Sequence, residues 1–299
     1  MDLSVIVAVL AITVIKATPL LYAGLGGVIS ENAGVINIGL EGMMAAGAFT
    51  AVVASFFWHS VVLAVICALM SGALLGLLLA YLAINARADQ IIVGMAINVL
   101  GIGGAAFLLA LVFGQPGASP EVKSFADIGA GAGGPLAGLE RYALVWLAIV
   151  LVVIMQIFLY QTKPGVHLRA VGEAPHAALA AGIDVVRYRY GATIAGGALA
   201  ALGGAYLSIG EVDLYSDGMV AGRGFIALAA VIFGRWNPIG TAGACLFFGF
   251  FSSVQIALQR ANVPAALLEM LPYLLTIVAI AGFIGRARPP AADGVPFTP

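Results

Sequence analysis

Residues 162–190 read TKPGVHLRAVGEAPHAALAAGIDVVRYRY, a charged, helix-compatible stretch set between long apolar runs. Lys163, Arg169, Arg187 and Arg189 stand there against Glu173 and Asp184. Cations of membrane proteins gather in cytoplasmic loops, which places this basic surface at the inner face of a bilayer. From Arg169 to Gly182 the residues are good helix formers, and Pro175 suits a first helical turn. The segment predicts a short helix lying across the membrane surface, accessible to a cytosolic partner that pushes on it.

The rest of the chain is written for lipid. Of 299 residues 62% are hydrophobic and 9% charged, at a mean hydropathy of +1.09, whereas about a quarter of the residues of a soluble domain are charged. The expected fold class is all-α, a polytopic membrane helix bundle. A hydrocarbon core of about 30 Å takes about 20 helical residues, and spans are read at 3–28, 40–58, 61–84, 91–113, 142–161, 191–210, 241–259 and 268–286, with a half-length piece at 222–234. Working outward from a cytoplasmic 162–190 loop, these spans put Arg87, Arg235, Arg286 and Arg288 inside with the loop cations. Lys123, Arg141 and Arg260 fall outside, while Lys16 and Arg223 stay unassigned. The bias obeys the positive-inside rule and predicts an external N-terminus and an internal C-terminus. MDLSVIVAVL lacks a basic n-region and a cleavage pattern, so the first run is expected to remain in the membrane.

A single transmembrane domain is expected over 1–286. The Gly-, Pro- and Ala-rich loop 114–141 is read as an irregular external cap on the same side as Glu211, Asp213 and Asp217. The proline-rich tail 287–299 is read as disordered and cytoplasmic. Cys67 and Cys245 have no second cysteine, histidine or acid at ligand spacing, so neither a disulfide nor a metal site is expected.

Residues 25–49, LGGVISENAGVINIGLEGMMAAGAF, align with residues 202–225, LGGAYLSIGEVDLYSDGMVAGRGF, with one residue of slip. An odd number of spans separates them, so the copies would face opposite ways, a pattern of transporters. Each copy interrupts apolar sequence with polar residues: Ser30, Glu31, Asn32, Asn37 and Glu41 in the first, Glu211, Asp213, Ser216 and Asp217 in the second. Broken backbone at membrane depth is buried in protein or lines a watery route. Two readings of Asn37 and Glu41 stand: Asn37 as an N-cap with Glu41 complementing the helix dipole, or both as lining of a substrate path. Asn98, alone in the run IIVGMAINVLGIGG, is either an interhelical clamp or a third pathway residue. Glycine pairs such as Gly196–Gly197 and Gly203–Gly204 favour close helix packing.

The chain carries no GxxxxGK[ST] loop, nucleophile elbow or HExxH motif, and no soluble domain large enough to hydrolyse a nucleotide. Any ATP that powers it is bound by another subunit, and no cofactor of its own and no nucleic acid partner is expected. An ion-coupled carrier fits the inverted repeat equally well, and only the 162–190 loop argues against it. A membrane enzyme lacks a convergent set of catalytic groups, and a channel lacks a recognisable selectivity filter.

Four segments together resemble a known family: GVISENAGVINIGLEGMMAAGAF (27–49), ADQIIVGMAINVLGIG (88–103), LRAVGEAPHAALAAGIDV (168–185) and GRGFIALAAVIFGRWNPIGTAGACLFFG (222–249). The chain looks like an inner-membrane permease subunit of ATP-binding-cassette importers, within the nucleoside and simple-sugar branch related to ribose and branched-chain amino-acid permeases. The resemblance implies nucleosides, purine nucleosides first, or a simple sugar as cargo. It also implies a cytosolic ATPase, a second permease in a heterodimer, and an extracytoplasmic binding protein or lipoprotein, in a bacterial inner membrane. It makes 168–185 a coupling helix, with Arg169, Gly172, Glu173, Ala177, Ala178 and Gly182 as its candidates. Arg169 and Glu173, four apart, would pair with each other or with the ATPase.

Overall fold

A helix that is apolar on every face has no solvent side and must be covered by other helices or by lipid. In the computed structural model, which describes residues 3–125, 127, 142–259 and 288–298, the chain forms α1 (Leu3–Asn32), α2 (Leu40–Trp58), α3 (Val61–Ala80), α4 (Gln90–Phe113), α5 (Ala143–Gln161), α6 (Lys163–Glu173), α7 (Pro175–Ala180), α8 (Val185–Ala205), α9 (Arg223–Phe233) and α10 (Pro238–Gln259). One π-helical stretch, Tyr81–Asn85, prolongs α3, and another, Tyr206–Val212, prolongs α8. Seven of the helices are long and apolar enough to cross a membrane. The span expected at 268–286 lies outside the described residues.

The centre of the bundle is α1, α2 and α8, which are largely buried, while α3, α4 and α5 keep exposed apolar faces. Small residues set the closest approaches. Gly26 of α1 meets Gly196 of α8, and Gly72 of α3 meets Gly197. Pro19 and Tyr22 lie against Gly203, so α1 and α8 run antiparallel. Thr13 and Ser253 share a hydroxyl hydrogen bond of 2.8 Å while Gly24 sits against Thr241, which makes α10 antiparallel to α1 as well. Two polar contacts fasten α1: Tyr22 donates to the Leu144 carbonyl at 2.6 Å, and Lys16 pairs with Glu211.

The expected inverted repeat recurs as two helix–break–helix units of opposite sense, α1–α2 and α8–α9. Its residue register differs from the alignment. Gly42–Met43 lies inside the first turn of α2, whereas Gly218–Met219 lies in the turn before α9, because the second break is longer. That second break is zipped to the loop after α4: Ser119 N–H donates to the Tyr215 carbonyl at 2.9 Å, Val122 N–H to Asp213 at 2.9 Å, and Asp217 N–H to Gly117 at 2.8 Å. The Gly-rich loop and the acidic turn expected on one face are thus joined.

Three expectations about the inner face are corrected. The single helix from Arg169 to Gly182 is two, α6 and α7, broken at Ala174 (φ −146°, ψ 75°). Pro175 biases the residue before it away from helical geometry and starts a new helix at its first position. The span expected from 191 begins at Val185, so Arg189 is not part of a basic surface but a fully buried helix residue. The tail is packed rather than disordered over 288–298. Arg189 donates to the Val295 carbonyl at 3.0 Å, Ala292 N–H donates to the Gly172 carbonyl at 2.9 Å, and Phe297 is buried among Val171, Ala178 and Val185. A buried guanidinium has five donors to satisfy, and the tail carbonyls supply acceptors.

Candidate functional site

Helices α2 and α9 both begin inside the bundle, and their N-termini meet. The first N–H groups of any helix lack intrahelical partners, and inside a membrane they cannot turn to water. Here each start is capped by a side chain from another helix. Gly222 and Gly224 N–H, at the start of α9, donate to Glu41 of α2 at 2.7 and 2.6 Å, one to each carboxylate oxygen. Gly42 N–H, at the start of α2, donates to the Asn98 Oδ1 of α4 at 2.8 Å, while the Asn98 amide donates to the Ile38 carbonyl at 2.9 Å. A carboxylate at this junction also meets the positive end of both helix dipoles.

Close backbone contact makes the arrangement possible. A Cβ on Gly224 would lie 2.4 Å from the Glu41 nitrogen, and one on Gly42 2.3 Å from the Ile97 carbonyl oxygen. From the junction the two helices diverge. Helix α2 runs toward a cluster with Tyr215 and Val122, and α9 toward Val231 and Trp236 at the opposite end.

Of the three residues read as pathway candidates, Glu41 and Asn98 therefore bind backbone, and Asn37 stands apart. Asn37 is not the N-cap of α2, since that position is Gly39, without a side-chain cap. Among the described residues its amide reaches only the Met43 sulfur at 3.7 Å, and its carbonyl Oδ1 is buried without a partner. Buried polar atoms are nearly always bonded, so an orphaned acceptor beside the helix junction marks a place for a donor.

A second polar layer closes the end of the bundle where α1 stops and α9 turns into α10. Trp236 Nε1–H donates to Glu31 at 2.5 Å, and the Asn32 amide donates to the Trp236 carbonyl at 2.9 Å. The turn that carries Trp236 is GRWNP. Arg235 and Trp236 both take left-handed backbone (φ 55°), and Asn237 caps α10 through the N–H groups of Ile239 and Gly240.

The coupling candidates lie on α6, on α7 and in the turn that follows α7. Gly172 is buried against α1, where a Cβ would stand 2.2 Å from the Asn32 carbonyl oxygen. Ala178 is buried, Ala177 exposed, and Gly182 holds φ +81° with open space around it, ending α7. Arg169 and Glu173 do not pair. Arg169 Nε donates to the Leu159 carbonyl at 3.0 Å with its guanidinium 4.4 Å above the Tyr160 ring, and Glu173 accepts from Ala291 N–H at 3.3 Å. The tail carboxyl Asp293 is pushed up to about 7 by burial, opposed by the nearby Arg189.

Sequence reading missed three of these contacts: Lys16–Glu211, Trp236–Glu31 and Arg189 with the tail. A lone lysine in an apolar run was a signal, because such a charge needs a partner. Arg189 gave none, since it stood among other cations of a loop.

No solved structure matched the chain. Among curated proteins, it is 40% identical to the guanosine ABC transporter permease protein NupQ of Bacillus subtilis, covering 95% of this chain and 94% of that one. It is 24% identical, over 92% and 81%, to NupP, also a guanosine ABC transporter permease protein of Bacillus subtilis. The nucleoside ABC transporter permease protein NupC of Lactococcus lactis is 35% identical over 97% and 96%. A putative glucose ABC transporter permease protein of Haloferax volcanii, TsgC13, is 33% identical over 92% and 91%. Since the family model for the permease component of branched-chain amino acid transport systems matches residues 9–280, the chain belongs to that permease family and is a multi-pass membrane protein.

Proposed function

We propose that this chain is one permease subunit of an ATP-binding-cassette importer that carries nucleosides, purine nucleosides first, across a bacterial inner membrane. The observation that carries the reading is the similarity, over nearly the whole of both chains, to permeases of guanosine and nucleoside transporters. The chain holds no ATP site of its own. A cytosolic ATPase drives it through α6 and α7, with Arg169, Gly172, Glu173, Ala177, Ala178 and Gly182 as the coupling face. A second permease completes the pathway as a heterodimer, in keeping with the two Bacillus subtilis guanosine permease proteins it resembles unequally. An extracytoplasmic binding protein or lipoprotein delivers the ligand.

In this reading the route passes the junction of α2 and α9. Asn37 offers a free acceptor to a ligand hydroxyl or amino group, while Glu41 and Asn98 hold the walls. Leaving such a ligand group unpaired would cost about 1–3 kcal/mol. A simple-sugar permease is the second reading, favoured by the similarity to TsgC13, and both cargoes present ring hydroxyls. The test is uptake of labelled guanosine by cells expressing this chain with an ATPase and a second permease of the same organism, in competition with adenosine, ribose and glucose. Competition by nucleosides alone supports the reading, and competition by glucose but not adenosine reverses it.

A further inference from the structure

On the inner face, a cavity of about 340 Å³ opens between α6, the turn after α9 and the tail, walled by Tyr160, Arg169, Glu173, Arg235, Trp236 and Arg288 among others. Three guanidiniums thus share one hollow with one carboxylate. Arginine keeps its charge at any working pH. None of the three forms an ion pair among the described residues, where the ion pairs are Lys16–Glu211 and Arg187–Asp184. Glu173, the one acid in the wall, already accepts from Ala291 N–H. Among the described residues the hollow therefore carries more positive than negative charge, arranged by three segments far apart in sequence and by a turn held in left-handed backbone at Arg235 and Trp236.

We propose that this cavity binds a phosphate group, that of an anionic phospholipid of the inner leaflet. Forked guanidiniums match phosphate geometry, and basic pockets at the cytoplasmic ends of membrane helices take lipid head groups. The lipid source is favoured by what adjoins the cavity. Val153, Ile154, Ile157 and Tyr160 lie on one exposed stripe of α5, and that stripe ends at the Tyr160 wall. Acyl chains lying along it would bring a head group to Arg169, which stacks on Tyr160. Bound phosphate would join α6 to the Arg235 turn and the tail, so the head group would stiffen the surface on which a cytosolic partner acts.

The test uses the purified full-length chain in nanodiscs and in detergent. Bound lipid is counted by native mass spectrometry against phosphatidylglycerol, phosphatidylcholine and inorganic phosphate, and the thermal midpoint is followed in parallel. Phosphatidylglycerol should bind and raise the midpoint where phosphatidylcholine does not. Each of Arg169→Gln, Arg235→Gln and Arg288→Gln should weaken it roughly fivefold, and the triple variant roughly a hundredfold. Arg187→Gln, outside the cavity, should leave binding unchanged. The triple lysine variant, which keeps the charge but loses the fork, should bind more weakly than wild type and more tightly than the triple glutamine variant, and controls for folding. Arginine-dependent protection by inorganic phosphate equal to that by the lipid would assign the same site to soluble phosphate. Unchanged phosphatidylglycerol binding in the triple glutamine variant, or an equal loss in Arg187→Gln, overturns the proposal.

Discussion

Glu41 and Gly224 are 183 residues apart in sequence, yet the Glu41 carboxylate receives the Gly224 N–H at 2.6 Å and no Cβ would fit between them. This contact joins the two inverted units of the chain at the point where both are broken. Removing the carboxylate leaves two N–H groups without acceptors, at about 1–3 kcal/mol each. Glu41→Leu should therefore lower the thermal midpoint of the purified protein more than Glu41→Gln, whose amide oxygen still accepts one bond. Gly224→Ala should destabilise at least as much as Glu41→Leu, because backbone rather than a movable side chain stands in the way. Equal midpoints for all three and wild type would remove the junction from the account.

Asn98 and Asn37 should separate structure from transport. Asn98 uses both ends of its amide, so Asn98→Leu should reduce assembly and stability, and Asn98→Asp, which when ionised cannot donate to Ile38, should do so as well. Asn37 holds little, and Asn37→Ala should lower the midpoint less than Asn98→Leu while slowing uptake. A stable Asn37→Ala with wild-type uptake would remove that residue from the route.

The tail gives a pH-dependent prediction. Asp293 has an ordinary carboxyl value of 3.8 when exposed and about 7 when docked, through burial, with Glu31 and Arg189 as its charged neighbours. A carboxyl raised on docking favours the docked state fully below about 3.8 and loses that contribution as pH rises through about 7, the state that binds more protons being favoured at low pH. A nitroxide at exposed Thr298 should accordingly become more mobile between pH 5 and pH 8. Asp293→Asn should flatten that response, and Phe297→Ala should give high mobility throughout. Uniform mobility in wild type across this range would contradict it.

The coupling face should respond to two glycines differently. Gly172→Ala pushes α6 off α1 by close contact with the Asn32 carbonyl and should weaken the link between ATP hydrolysis and uptake. Gly182→Leu has room but must hold φ +81° without glycine, at about 1–2 kcal/mol. It should disturb the end of α7 while leaving membrane insertion intact. The readout is the ratio of transport to hydrolysis in the assembled complex, and unchanged ratios in both variants would show that this surface is not the one being pushed.

The helices themselves were legible in sequence because a span needs only length and apolarity. Residues 40–58 and the half-length helix near 222–234 were placed within about a residue, the usual margin of helix ends. What sequence did not disclose was pairing. Nothing local says that Glu41 caps a helix beginning at Gly224, or that Asn98 rather than Asn37 caps α2, because those partners are brought together only by the close packing of glycines. The tail was misread for a related reason. Proline-rich composition argues against an autonomous fold, yet a buried Arg189 in need of acceptors and an apolar slot for Phe297 give RPPAADGVPFT a place to dock.

If an ATPase moves this chain to carry nucleosides, proteoliposomes containing the chain, its second permease and the ATPase will show it. With binding protein outside and ATP inside, labelled guanosine should accumulate, stop when a non-hydrolysable analogue replaces ATP, and continue when ionophores collapse proton and sodium gradients. Accumulation that needs the ion gradient and proceeds without ATP or the ATPase would contradict the account and make the chain a carrier.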